Sequence, residues 1–242
     1  MPITSSPEPQ ASAAWWEDFL EIFVAPSKVF ARREKSNFLL PLLVLTVLLT
    51  VVFLGTQGAI QPAYQADGAR RIAATLEANP QLTAEALEGG ARTMERLLPI
   101  IVFVATPTTI LLTGLILWVA GKFVGAKQAL GAAMVVATFA NFPKLIQSLV
   151  YGIQGLVLPV ESLTGMSRLS VGPARFLDPA TASPLTLGLA MRADVFIIWV
   201  TVLLAIGLKV TGRVTMAAAA AAAGMVYVVG ALPTILGALR AG

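Results

Sequence analysis

The chain has 242 residues, 57% of them hydrophobic and 12% charged, with a mean hydropathy of +0.80 and a formal net charge of +4. Soluble domains carry about twice that share of charge, so the composition places the chain among membrane proteins. It has no cysteine and no histidine, which excludes disulfides, thiolate nucleophiles, thiolate and imidazole metal sites and the commonest general base.

Residues 1–13 are rich in Pro, Ser and Ala and read as a disordered tail. A polar start of this kind, with no basic segment leading into an apolar one, predicts no cleaved signal peptide. In AWWEDFLEIF, Trp16, Phe19, Leu20 and Phe23 recur at helical spacing with Glu17, Asp18 and Glu21 opposite. This predicts an amphipathic interfacial helix packed beside the first span; the alternative is a helix that docks a partner. Pro26 suits the first turn of a second short helix. Lys28, Arg32, Arg33 and Lys35 then precede the first span, so segment 14–36 reads as cytoplasmic, with these four as candidate lipid headgroup contacts.

Five spans are predicted, near 38–54, 97–120, 129–157, 187–208 and 214–239, the fourth starting near Leu187 or Val195. Outer loops fall at 58–96, with two weak helical patterns broken at Asn79–Pro80, and at 158–185, which carries four prolines. Pro107 predicts a kink in the second span, where Thr106, Thr108, Thr109 and Thr113 can satisfy freed carbonyls. Of the six lysines, five (28, 35, 122, 127 and 209) lie on the side this topology makes cytoplasmic. The C-terminus is then outside. Ala217, Ala221 and Gly224 form a small-residue face on the fifth span, suited to close helix packing.

Three stretches resemble the Yip-domain family. IFVAPSKVFARREKSNFLLPLL places Pro26, Phe30 and Pro41 in the family's entry motif. QALGAAMVVATFANFPKLI is similar to its third span, which often carries a proline at the place of Pro143. DVFIIWVTVLLAIGLKVTGRVTMAAAAAA opens with Asp194, Phe196 and Trp199, like the D-x-F-x-x-W start of the fourth span in bacterial members. The likeness covers roughly residues 20–240. It implies a five-span fold with a cytoplasmic N-terminus and, in eukaryotic members, roles in vesicle traffic and organelle shape, usually in oligomers and with a small GTPase of the Rab type. Abundant Ala, more Arg than Lys and absent Cys point to a bacterial source and its inner membrane, where a Rab partner is not expected.

The polar interruption NFPK, Asn141 to Lys144, is the main candidate for chemistry. Lys144 lies 17 residues past Lys127 and Asp194 lies 15 before Lys209, so they sit roughly 26 and 22 Å from the same boundary. Lys144 and Asp194 either pair, or Lys144 snorkels and Asp194 starts its helix. Asn141 is expected to hydrogen-bond across helices, and Pro143 to kink the span. Ser148 and Lys144 share a face at i, i+4, a spacing that alone allows a hydrolytic dyad, but no oxyanion hole or other hydrolytic or nucleotide motif accompanies it. Trp118 and Trp199 read as interface or packing aromatics.

The sequence therefore predicts an all-α polytopic membrane protein, not an enzyme, without cofactor or metal and without nucleic acid as a partner. Its expected contacts are the bilayer and either copies of itself or other membrane proteins. The alternative is a transporter or channel protomer with a polar site at Asn141, Lys144 and Asp194.

Overall fold

The computed structural model describes residues 16–241, with side chains as far as Gly237, and stretch 1–13 lies outside these. The described residues form ten α-helices and no strand. These are α1 (Asp18–Val24), α2 (Pro26–Arg33), α3 (Leu39–Ala78), α4 (Ala84–Phe123), α5 (Leu130–Ala140), α6 (Pro143–Val157), α7 (Pro184–Arg192), α8 (Val195–Gly212), α9 (Met216–Val229) and α10 (Leu232–Ala241). Five stretches are long and apolar enough to cross a membrane: α3, α4, α5 with α6, α8, and Met216–Gly237. The chain is an all-α polytopic membrane protein.

The spans differ in detail from the sequence expectation. α3 and α4 each run 40 residues, about 60 Å, or twice the hydrocarbon thickness. Segment 58–96 is therefore not a loop with separate short helices but the continuation of both spans. Extending a helix already nucleated adds one hydrogen bond per residue fixed, while a new nucleus is unfavourable. Neither Pro62 nor the pair Gly89–Gly90 stops it. Only Asn79–Pro80 does, and Thr83 then caps α4 by accepting from the Ala86 amide. The fourth span starts at Val195, because Ser183 caps α7 as a separate helix and Asp194 caps α8. The fifth breaks at Gly230–Ala231, two residues before Pro233.

Helices in lipid gain nothing from hiding apolar surface against one another, so close contact and hydrogen bonds hold them. Leu43, Ile100 and Val104 accordingly face outward, as lipid allows. α5 is almost wholly buried, against α4 and α8. Its neighbours approach closely: a Cβ on Gly207 of α8 would stand 2.4 Å from a Val136 methyl carbon, and one on Gly155 of α6 would stand 2.5 Å from the Ala59 carbonyl oxygen of α3. α3 and α6 run parallel, with Gly152 opposite Thr56 and Gly155 opposite Ala59.

One end of the bundle collects five of the six lysines, while the arginines of the opposite end are offset by acids. At the lysine-rich end the Lys127 amide donates to the Gly212 carbonyl at 3.1 Å. Arg213, in the left-handed conformation at φ 56°, ends α8 and pairs with Glu34. The opposite end carries the helical extensions of α3 and α4 and the loop from 158 to 183, which winds through three short 3-10 turns.

The α1–α2 hairpin packs on the bundle rather than standing apart from it. Phe19 stacks on Phe142 at 4.9 Å, Phe23 meets Trp199 edge-on at 5.7 Å, and Val29 and Phe30 are fully buried. The inward face of α1 differs from the predicted one. Asp18 is 1% exposed and Ile22 is buried, while Trp16, Leu20 and Val24, at i, i+4, i+8, point outward. Charge pairing explains the rotation. Asp18 binds both Arg32 and Arg33, and Glu21 also binds Arg32. These bonds, to Glu21 first and then Asp18, hold the Arg32 guanidinium above its ordinary pKa. Of the four proposed headgroup cations, Arg32 and Arg33 are thus engaged within the chain, while Lys28 and Lys35 are exposed and form no ion pair with a described residue. Replacing Asp18 with Ala is expected to loosen the hairpin by about 1–3 kcal/mol, seen as faster amide exchange in residues 18–33 with the spans unchanged. Unchanged exchange there would show that the aromatic contacts alone hold it.

Candidate functional site

The third span breaks where the sequence carries NFPK. α5 ends at Ala140, and the Asn141 and Phe142 amides turn back to the Thr138 and Phe139 carbonyls at 3.2 Å. The Asn141 side-chain amide donates to the Ala137 carbonyl of its own helix at 2.7 Å. It therefore caps α5 and, contrary to the expectation, makes no bond to another helix among the described residues: the carbonyls left over by the break lie within its reach. Pro143 takes the first position of α6, where a missing N–H costs nothing.

Asp194 is fully buried at the start of α8 and accepts five hydrogen bonds. To Oδ1 come the Phe196 amide at 2.9 Å and the Gln147 side chain at 3.3 Å. To Oδ2 come the Val171 amide at 2.8 Å, the Ser170 hydroxyl at 2.9 Å and the Tyr151 hydroxyl at 3.0 Å. A carboxylate has about four lone-pair sites, so this one is saturated. One side chain thereby caps α8, ties it to α6 and pins the loop over both. The Val195 amide also donates to the Val171 carbonyl, closing the loop onto the helix start.

Lys144 does not take part. No ion pair joins it to Asp194, and its side chain makes no hydrogen bond to any described residue, Ser148 included. Asp194 meets Gln147 and Tyr151, three and seven residues past Lys144 on α6, so it lies nearer the loop end than Lys144 does. Gln147 and Tyr151, one turn apart on α6, are the residues that face Asp194. They were missed because a charged partner was sought, and the signal present was a pair of neutral donors at i, i+4 in an apolar span. Lys144 instead borders a cleft of about 230 Å³ between α3, α4 and α6, with Leu49, Ile101, Val102, Ala105, Thr106, Thr109 and Ile110.

A second polar junction joins α7 to the end of α9. Arg192 donates to the Tyr227 carbonyl at 2.7 Å, its guanidinium carbon lies 4.7 Å over the Tyr227 ring, and the Tyr227 hydroxyl donates back to the Arg192 carbonyl at 3.0 Å. Burial pushes the Arg192 guanidinium below its ordinary pKa. The predicted packing face on α9 is open: Ala217 and Ala221 are exposed, and a Cβ on Gly224 would meet nothing within 4 Å. The bundle is packed instead by Ala219, Ala222, Ala223 and Val226. At the basic end Lys122 lies 5.1 Å over Trp118. Among the described residues no group of three acids is placed to hold a metal.

A family model for the Yip1 domain matches residues 20–237, which take in the hairpin from Leu20 onward, the NFPK break, the Asp194 cap and all five spans. The chain belongs to the Yip1 domain family. No curated protein and no solved structure matches it. In this Yip1-domain chain the D-x-F-x-x-W opening has a direct physical reading. Asp194 caps α8 by accepting from the Phe196 amide, Phe196 is buried and stacked near Trp199, and Trp199 receives Phe23 of α1. The motif joins the loop, the fourth span and the N-terminal hairpin.

Proposed function

We propose that this Yip1-domain protein is a non-enzymatic membrane component that works by helix association, as an oligomer or a scaffold in a membrane assembly. The observation that carries this reading is the face of α9 formed by Ala217, Ala221 and Gly224, which the chain's own helices leave uncovered. Small residues let helix backbones approach closely, and an identical stripe on a second copy is complementary to it through a two-fold axis. The membrane is the inner membrane of a bacterium. The basic end of the bundle faces the cytoplasm, where Lys28, Lys35, Lys122, Lys127 and Lys209 satisfy the positive-inside rule. The exposed Trp16, Leu20 and Val24 then bed into the inner interface.

Gly224→Leu, combined with Ala221→Leu, tests the reading through energy transfer between labelled copies in vesicles. Association is expected to weaken roughly tenfold, equivalent to about 1.4 kcal/mol, with the monomer fold intact. Association equal to that of the unaltered chain, or none in either, rejects α9 as the contact. The transporter reading rests on Lys144 and its cleft alone, because Asp194 is saturated and Asn141 caps its own helix.

A further inference from the structure

The Lys144 cleft lacks something. A cation in the first turn of a helix has the unfavoured sign for the helix dipole, and Lys144 is the second residue of α6. The charged neighbour whose field reaches it is another cation, Arg192. No acid of the described chain lies within ion-pair distance of its ammonium. The cleft's hydroxyls show the same want of an acceptor. Thr108 and Thr113 of α4 donate to carbonyls of their own helix, at Val104 and Thr109. Thr106 and Thr109, which line the cleft, donate to no described group. An ammonium and two hydroxyls thus border one space with no counter-charge, in a region where unsatisfied polar groups are expensive.

The walls say what kind of anion fits. Leu49, Ile101, Val102 and Ile110 are apolar, and Ile101, Ala105 and Thr109 are exposed on the outer surface of α4, so the cleft opens sideways toward the bilayer. Lys144 lies level with Leu49 of α3, eight residues before Gln57, the first amide side chain of that helix, hence about 12 Å deeper in the bundle than Gln57, which lies on the loop-end side. A lysine side chain spans about half of such a distance when it snorkels, which brings it toward the headgroups of the loop-end leaflet. The volume of about 230 Å³ is below the roughly 300–1,000 Å³ of pockets that enclose a whole small molecule. It suits a headgroup whose chains remain in the bilayer.

We propose that the cleft between α3, α4 and α6 binds the phosphodiester of an anionic phospholipid from the loop-end leaflet, with Lys144 as its charge partner and Thr106 and Thr109 as hydrogen-bond donors. Capture of a lipid here needs no self-association and leaves the α9 face free.

The test uses the full chain, delipidated in a neutral detergent and titrated with phosphatidylglycerol or phosphatidylcholine, with bound lipid counted by native mass spectrometry. Phosphatidylglycerol is expected to bind more tightly by about tenfold, and Lys144→Met to weaken it by roughly tenfold to a hundredfold, the range for a hydrogen bond to a charged group. Ala105→Phe keeps the lysine and fills the opening, and it is expected to abolish the preference as well; it decides the matter if the Lys144 variant does not fold. Equal binding of both lipids, or unchanged phosphatidylglycerol binding in both variants, overturns the proposal. So does displacement of the lipid by inorganic phosphate at equal concentration, which makes the site one for a free anion. A lipid-independent dimer lost in Lys144→Met would assign the cleft to a second copy and overturn it equally.

Discussion

Asp194→Ala is expected to destabilise the folded chain by on the order of 3–5 kcal/mol, the largest effect of any single truncation considered, because it strands several buried donors at once. The Ser170 and Tyr151 hydroxyls and the Val171 amide lose a fully buried acceptor, and α8 loses its cap, which by itself contributes about 1 kcal/mol. Asp194→Asn keeps the shape and one oxygen, so about half of that loss is expected. Thermal unfolding in detergent measures both. A second readout is local. With its anchor gone, the loop from 158 to 183 is expected to open, and trypsin should cut at Arg168 and Arg175 before the spans unfold. An Asp194→Ala protein that melts like the unaltered chain and resists trypsin there would mean that the loop is held elsewhere, by the Asp67 carboxylate at the Met166 amide and the Gln154 side chain at the Leu169 carbonyl.

The second large effect concerns helix approach. Gly155→Ala places a methyl group 2.5 Å from the Ala59 carbonyl oxygen and 2.8 Å from its carbon. Those are backbone atoms of α3, and they cannot rotate away as a side chain could. Relief requires α3 and α6 to separate, at a loss of roughly 1–3 kcal/mol. Gly224→Ala on α9 is the internal comparison. Its methyl meets nothing within 4 Å, so the change is expected to be neutral or to gain up to about 1 kcal/mol from helix propensity. The two variants make the same chemical change in two apolar spans, and unfolding in one detergent at one concentration compares them directly. Equal stability of the two would refute the close α3–α6 approach.

These expectations separate what is local from what is not. Pro143 and Asn141 act within a few residues of themselves, so a break in the third span was readable from NFPK. That Asn141 would cap α5 rather than reach across was not, since both uses need only an amide in the same place. The small face of α9 was readable as small. Whether the bundle or the bilayer received it was not, because alanines surround that helix on several sides and the chain packs on Ala219, Ala222 and Ala223 instead. The acidic side of α1 looked solvent-facing until α2 folded back and brought Arg32 and Arg33 against Asp18. The breaks that shorten α7 and α10 follow from caps and prolines, but the continuity of α3 through 55–78 does not, because weak helical patterns take their support from the span they extend.

The sequence by itself determined the class of this protein: its hydropathy and missing charge allow only a bundle of apolar helices, its lysine positions distinguish the two ends, and the absence of His and Cys removes whole kinds of chemistry. Each of those properties is a sum over residues or a matter of near neighbours, and both survive without knowledge of the fold. Only the tertiary structure decided the partners. Residue spacing puts Lys144 and Asp194 at similar depth, yet what each side chain meets depends on how the helices are rotated and shifted and on a loop more than 20 residues away in the chain. That rotation gives Asp194 five donors and leaves Lys144 facing a cleft with none of the described acids in it.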